Sequence, residues 1–145
     1  MKILGFRHTG IIVKNIKKSK NFYEKFLGLK VIQDFWDSTE YINKITGLKN
    51  AKVHMIKFKL KNGDVLEILE YPTHKTKSFK VPIHNVGLCH LALQISNIEK
   101  FYQKMKNKIK FISKPIISSE KFAKVCFCLD PDNTRIELVQ IIKNK

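Results

Sequence analysis

"GLCHLALQISNIEKFY", residues 87–102, puts His90 at the head of an apolar run and follows that run with Asn-Ile and a mixed polar and apolar segment. Near the N-terminus, "FRHTGIIVKNIKKSKNFY", residues 6–23, repeats the order with His8. In each copy Asn-Ile begins seven positions after the histidine (15−8 = 7 and 97−90 = 7). Farther along, "VLEILEY" at 65–71 matches "RIELVQI" at 135–141. Self-similarity of this kind fixes which positions are structurally equivalent, so the oddities of one copy are read against the other.

Both copies predict the order β-α-β-β-β. In the first, a strand over 6–13 leads to a helix over 15–28, with Asn15 as N-cap and Gly28 as the stop. Strands follow at 29–36, 51–60 and 64–71; "KNG" marks a hairpin between the last two, and 37–50 is a polar insert. Residues 72–86, with Pro72 and Pro82, read as a linker. The second copy predicts a strand at 87–95, a helix at 97–108 opened by Asn97, a short strand at 109–115, and strands at 123–129 and 134–141 around "DPDN". The expected fold is α+β: one domain over 1–145, built from two βαβββ modules at about 1–71 and 84–142. His8 to Glu67 spans 59 positions and His90 to Glu137 spans 47, a difference assigned mostly to the insert.

Composition narrows the function classes. A hydrophobic fraction of 43% with 10 Phe supports a packed core. No apolar run approaches the roughly 20 residues that span a bilayer, and the start is too short and polar for a signal peptide, so the expected location is the cytoplasm. Of 28 basic residues 26 are lysine, spread along the chain, and only Arg7 and Arg135 offer the bidentate fork that reads guanine. With 19 isoleucines alongside, the net charge of +16 reads as compositional bias and not as a specific nucleic-acid site. Three cysteines, Cys89, Cys126 and Cys128, cannot all pair within one chain; "CFC" reads as two small apolar residues on one strand face, expected to stay reduced.

A lone strand histidine is ordinarily a satisfied core or edge residue, and a lone strand glutamate ordinarily faces water. The repeat joins them: His8 with His90, and Glu67 with Glu137, each module setting a first-strand imidazole against a last-strand carboxylate. Two neutral imidazoles and two carboxylates suit Ni, Co, Zn, Mn or Fe as a divalent ion, with water completing the shell. Glu70 competes with Glu67 but lies three residues on, hence on the opposite strand face, and its repeat partner is Gln140. His54 shares a strand face with Ile56 and Phe58 and reads as structural, while His74 and His84 sit in the linker. Trp36 and Tyr41 are divided between pocket lining and core packing. "SKPIISSEKF", residues 113–122, reads as a surface loop, with a lid as the alternative.

The segments "FRHTGIIVKNIKKSKNFYEKFLGLKV", "NGDVLEILEY", "GLCHLALQISNIEKFY" and "FCLDPDNTRIELVQ" together resemble the vicinal oxygen chelate superfamily, which includes glyoxalase I, methylmalonyl-CoA epimerase, extradiol dioxygenases and antibiotic-resistance proteins. The resemblance covers nearly the whole chain. It implies paired βαβββ modules curling as a mixed sheet around a metal, commonly in a homodimer, with ligands at His8, Glu67, His90 and Glu137. The implied activity is that of a lyase or isomerase that removes a proton beside a metal-chelated carbonyl of a small substrate, with Glu137 as base and Glu67 as its symmetric partner. Alternatives are an Fe(II) extradiol-type dioxygenase and a non-catalytic protein that binds an antibiotic or metabolite. Bacterial glyoxalase I carries an arginine four residues after the first histidine and an asparagine four after the first glutamate. Here those places hold Ile12 and Tyr71, so the grip on glutathione is absent and another small oxygenated substrate is expected.

Overall fold

The computed structural model describes residues 2–77 and 82–142. The chain divides into two compact units, Met1–Ser78 and Phe79–Lys145, and each carries its own mixed sheet. Part of the expected linker over 72–86, residues 78–81, lies outside the described residues.

In the first unit β1 (Thr9–Ile12) runs into α1 (Ile16–Asn21), which continues as a π-helical turn over Phe22–Phe26. The Asn15 side chain accepts from the Lys18 amide at 3.0 Å, satisfying one of the free N–H groups at the helix start. Gly28 follows at φ +73, a left-handed conformation that glycine adopts without the Cβ penalty. β2 (Lys30–Asp37), β3 (Val53–Lys59) and β4 (Val65–Glu70) complete a sheet of order β1-β4-β3-β2, in which only β1 and β4 are parallel.

Alternation gives this sheet two apolar faces. One buries Ile56, Phe58, Leu66 and Ile68 with Ile16, Phe22 and Tyr23 of the helical segment, the Tyr23 and Phe58 rings lying 5.8 Å apart. The other carries Met55, Phe35 and Leu69, and these pack with Ile42, Leu48 and Ala51. Ile42 belongs to a helix, α2 (Glu40–Thr46), within the expected polar insert. Thr39 precedes it and Gly47 ends it at φ +71, so helix start and stop signals were present in the insert.

The second unit repeats the plan. β5 (Leu91–Gln94) leads into α3 (Ile98–Met105), whose start is capped by Asn97 through the Lys100 amide at 2.9 Å. β6 (Lys110–Phe111), β7 (Ile116–Ile117), β8 (Ala123–Leu129) and β9 (Arg135–Ile141) form a sheet of order β5-β9-β8-β6, with β7 also paired to β8. β6 and β7 occupy opposite ends of one edge of β8, the place β2 holds against β3. Ser113 to Pro115 separates them, and proline cannot donate to a ladder. Within the segment 113–122, Ile116–Ile117 is therefore an edge strand, and the remaining residues are turn and irregular structure, as expected of a surface loop. Cys126 and Cys128 are fully buried beside Ile136 and Leu138, and burial pushes their thiols up to about 11 and about 12.

One hydrogen bond ties helix to sheet in the same way in both units. The Ile16 amide donates to Glu70 Oε2 at 3.3 Å, and the Ile98 amide donates to Gln140 Oε1 at 2.8 Å. The matching roles of Glu70 and Gln140 explain why a carboxylate in one copy is an amide in the other: both need only an acceptor.

Candidate functional site

His8 stands immediately before β1 and His90 immediately before β5, each one residue ahead of the ladder and not inside it. Across the first sheet the register sets Gly10, Glu67, Lys57 and Gln33 in one row. Glu67 is 7% exposed, and a Cβ placed on Gly10 would meet its Oε2 at 3.8 Å. His8 Nε2 lies 3.6 Å from Glu67 Oε2, and Lys57 Nζ lies 3.5 Å from Glu67 Oε1. Both separations exceed the 2.7–3.2 Å of a well-formed N–H···O bond, so a nearly buried carboxylate has these two nitrogens just beyond hydrogen-bond reach.

In the second unit the corresponding row is Ala92, Glu137 and Phe127. His90 Nε2 lies 3.1 Å from Glu137 Oε2. The imidazole stands edge-on to Phe127 at 5.4 Å, and its Nδ1 is 2.8 Å from the Cys89 sulfur. Each histidine thus turns Nε2 to its glutamate. A neutral imidazole with one nitrogen turned to a carboxylate, beside a half-buried or buried oxygen donor, has the chemistry of a borderline divalent-metal ligand pair. Among the described residues no group of three or more His, Cys, Asp or Glu side chains is arranged to hold a metal ion.

The other candidates fall elsewhere. Glu70 faces the helix, as described above. His54 Nε2 makes a 2.6 Å contact with Asp34 Oδ1, and its ring stacks on Trp36 at 4.2 Å, a structural role. Trp36 and Tyr41 are 52% and 61% exposed, so neither packs in a core. His74 contacts the Thr73 hydroxyl at 3.0 Å. Ile12 and Tyr71, at the two places where the sequence departs from the glutathione-gripping pattern, flank the face that carries Glu67. Burial, and then the negative charge of Glu67, raise the Tyr71 hydroxyl above its ordinary value.

The sequence reading passed over the cationic side of this face. A cleft of about 420 Å³ is lined by Arg7, His8, Gln33, Lys57 and Lys59, with Ile32 at its wall. Ile32 is the residue skipped where the β2–β3 register shifts between Val31 and Gln33. The signal lay in the hairpin: centring the turn on Asn62 pairs Lys57 with Glu67 directly.

Residues 7–127 match the family model of the glyoxalase/bleomycin resistance protein/dioxygenase superfamily. Over its full length the chain is 28% identical to lactoylglutathione lyase of Schizosaccharomyces pombe, of which it spans half. It is 26% identical to the uncharacterized protein YwkD of Bacillus subtilis, covering 97% of this chain and 99% of that one. Among solved structures, a glyoxalase family protein from Bacillus cereus superposes with a TM-score of 0.88 at 16% identity, covering 99% and 97% of the two chains. The fosfomycin resistance protein FosX of Listeria monocytogenes, complexed with Mn(II) and sulfate, gives 0.64 at 20% identity, covering 96% and 93%. With the α+β modules and their paired sheets, these matches place the fold and the lineage together: the chain belongs to the glyoxalase/bleomycin resistance protein/dioxygenase superfamily.

Proposed function

We propose that this protein is a divalent-metal-dependent lyase or isomerase of the glyoxalase-like class, acting on a small substrate with vicinal oxygens. The observation that carries the reading is the repeated pair: His8 with Glu67 and His90 with Glu137, at equivalent positions of the two units and both joined through Nε2. In this reading His8, Glu67, His90 and Glu137 are the metal ligands, for a divalent ion drawn from Ni, Co, Zn, Mn or Fe. When bound, the ion supplies Lewis acidity to the substrate carbonyl. Glu137, the more exposed of the two carboxylates, takes the proton from the adjacent carbon and returns it, and Glu67 is its symmetric partner. His90 is fixed for this work by the Phe127 edge and the Cys89 sulfur. Ile12 and Tyr71 argue for a substrate other than a glutathione adduct. We further propose a homodimer in the cytoplasm.

Metal analysis after reconstitution with Mn²⁺, Co²⁺, Ni²⁺, Zn²⁺ or Fe²⁺ tests the ligand set. Wild type is expected to retain a stoichiometric ion and the His8→Ala/His90→Ala double variant to lose it. Less than about a tenth of an equivalent in wild type rejects the metal reading, and retention in the double variant rejects the ligands. Solvent deuterium exchange into a 2-hydroxycarbonyl probe, slowed about 10²–10⁴-fold by Glu137→Gln, marks proton abstraction. Oxygen consumption by the Fe²⁺ form selects the dioxygenase alternative instead.

A further inference from the structure

The two units provide an internal control on every residue near the paired histidine and glutamate, because the same backbone place occurs twice. Where the first unit has Arg7, Lys57 and Lys59, the second has Cys89, Phe127 and Leu129. The sheet therefore forms with neutral side chains at all three places, and the cations of the first unit are not demanded by the fold. The exchange in the other direction is Arg135, which stands where the first unit has Val65.

In the first unit the three cations line one cleft of about 420 Å³ together with His8. Lys57 reaches 3.5 Å from Glu67 and passes 5.6 Å from the centre of the Phe35 ring, which hold it toward the pair. Lys59 sits directly opposite Lys30 in the ladder, a like-charge arrangement that costs stability and that an anion would relieve. Glu67 alone offsets this charge within the row, and in the reading above its carboxylate is committed to the metal.

We propose that Arg7, Lys57 and Lys59 form an anion subsite, so that the substrate carries a carboxylate, phosphate or phosphonate beside its chelating oxygens. The inference rests on the metal reading for the chelating half and deepens it by naming the substrate class. Lys57 is the specificity-determining member, because it stands between the paired ligands and the cleft.

The test uses three hydroxamates on the Mn²⁺-loaded full chain, followed by calorimetric titration. Acetohydroxamate offers the chelating oxygens alone; malonic monohydroxamate adds a carboxylate, and phosphonoacetohydroxamate adds a phosphonate. At least one charged probe is expected to bind wild type about tenfold more tightly than acetohydroxamate, a difference of about 1.4 kcal/mol. The charged probe that gains identifies the anion. Lys57→Met and Lys57→Met/Lys59→Met should erase the preference while leaving acetohydroxamate unchanged, and Lys57→Arg should keep it. Lys104→Met, an exposed lysine on α3, should keep it too, separating the cleft from the general positive charge. Equal affinity for all three probes, or a preference that survives in the double variant, overturns the proposal. Failure of wild type to bind acetohydroxamate rejects the metal reading instead. The subsite is then read on metal-free protein with inorganic phosphate: binding abolished by Lys57→Met supports it, and no binding overturns it.

Discussion

Asp34 on β2 gathers two cationic partners, Lys20 Nζ at 2.8 Å and His54 Nε2 at 2.6 Å. The hydrogen bond from Lys20, then that from His54, holds its carboxyl below the usual carboxylate value. A folded value below the unfolded one adds stability above the unfolded pKa and loses it as pH falls through the folded value. Asp34 is more than a third exposed, so solvent screening holds the contribution to about 1 kcal/mol or less. Asp34→Asn is expected to lower the urea midpoint at pH 7 and to reduce the loss of stability between about pH 4 and pH 2. Identical pH profiles for the two proteins would show that the network contributes nothing. At this scale the sequence was informative where alternation alone decides the face. Cys126 and Cys128 were legible as apolar filling, and Glu70 was separated from Glu67. Trp36 was not legible, because its stacking on His54 depends on the cross-strand register, and a single strand's pattern does not reveal its neighbour.

Among the described residues the Ser19 hydroxyl, inside α1, is buried without a hydrogen-bond partner. An unsatisfied buried hydroxyl costs about 1–3 kcal/mol, and alanine is the better helix former. Ser19→Ala is therefore expected to raise stability by about 1 kcal/mol, or about 2–4 °C in Tm for a chain of this size. A calorimetric scan showing a lower Tm would mean that the hydroxyl has a role the packing does not reveal. The elements themselves were read largely from caps and periodicity: Asn15, Asn97 and Gly28 gave the two long helical segments, and "KNG" gave the hairpin. α2 was missed because charged and polar residues between Asp37 and Asn50 outweighed Thr39, Gly47 and the apolar Ile42. β7 was missed because two residues carry no periodicity, and its pairing with β8 is entirely a tertiary fact.

For the molecule as a whole, a net charge of +16 over 145 residues predicts adsorption to polyanions that depends on salt and ignores base sequence. Duplexes of different base composition should elute from the immobilised protein at the same salt concentration, with retention falling steeply between about 50 and 200 mM. A preference among duplexes would reopen a nucleic-acid role. The described residues include no helix long and apolar enough to cross a membrane. The repeat made the architecture and the paired histidines and glutamates legible, since equivalence converts two coincidences into one pattern. The cationic cleft was hidden by the chain's abundance of lysine, which only the three-dimensional comparison of the two units resolves. A last consequence concerns β4 and β9, each of which carries a histidine-paired glutamate on one face and, three residues on, the acceptor for its helix on the other. A slip of one residue in either strand would turn the glutamate away and unplug the helix in the same step. A misthreaded module thus forfeits its helix anchor together with its histidine–glutamate pair, so a single register error costs stability as well as the pairing.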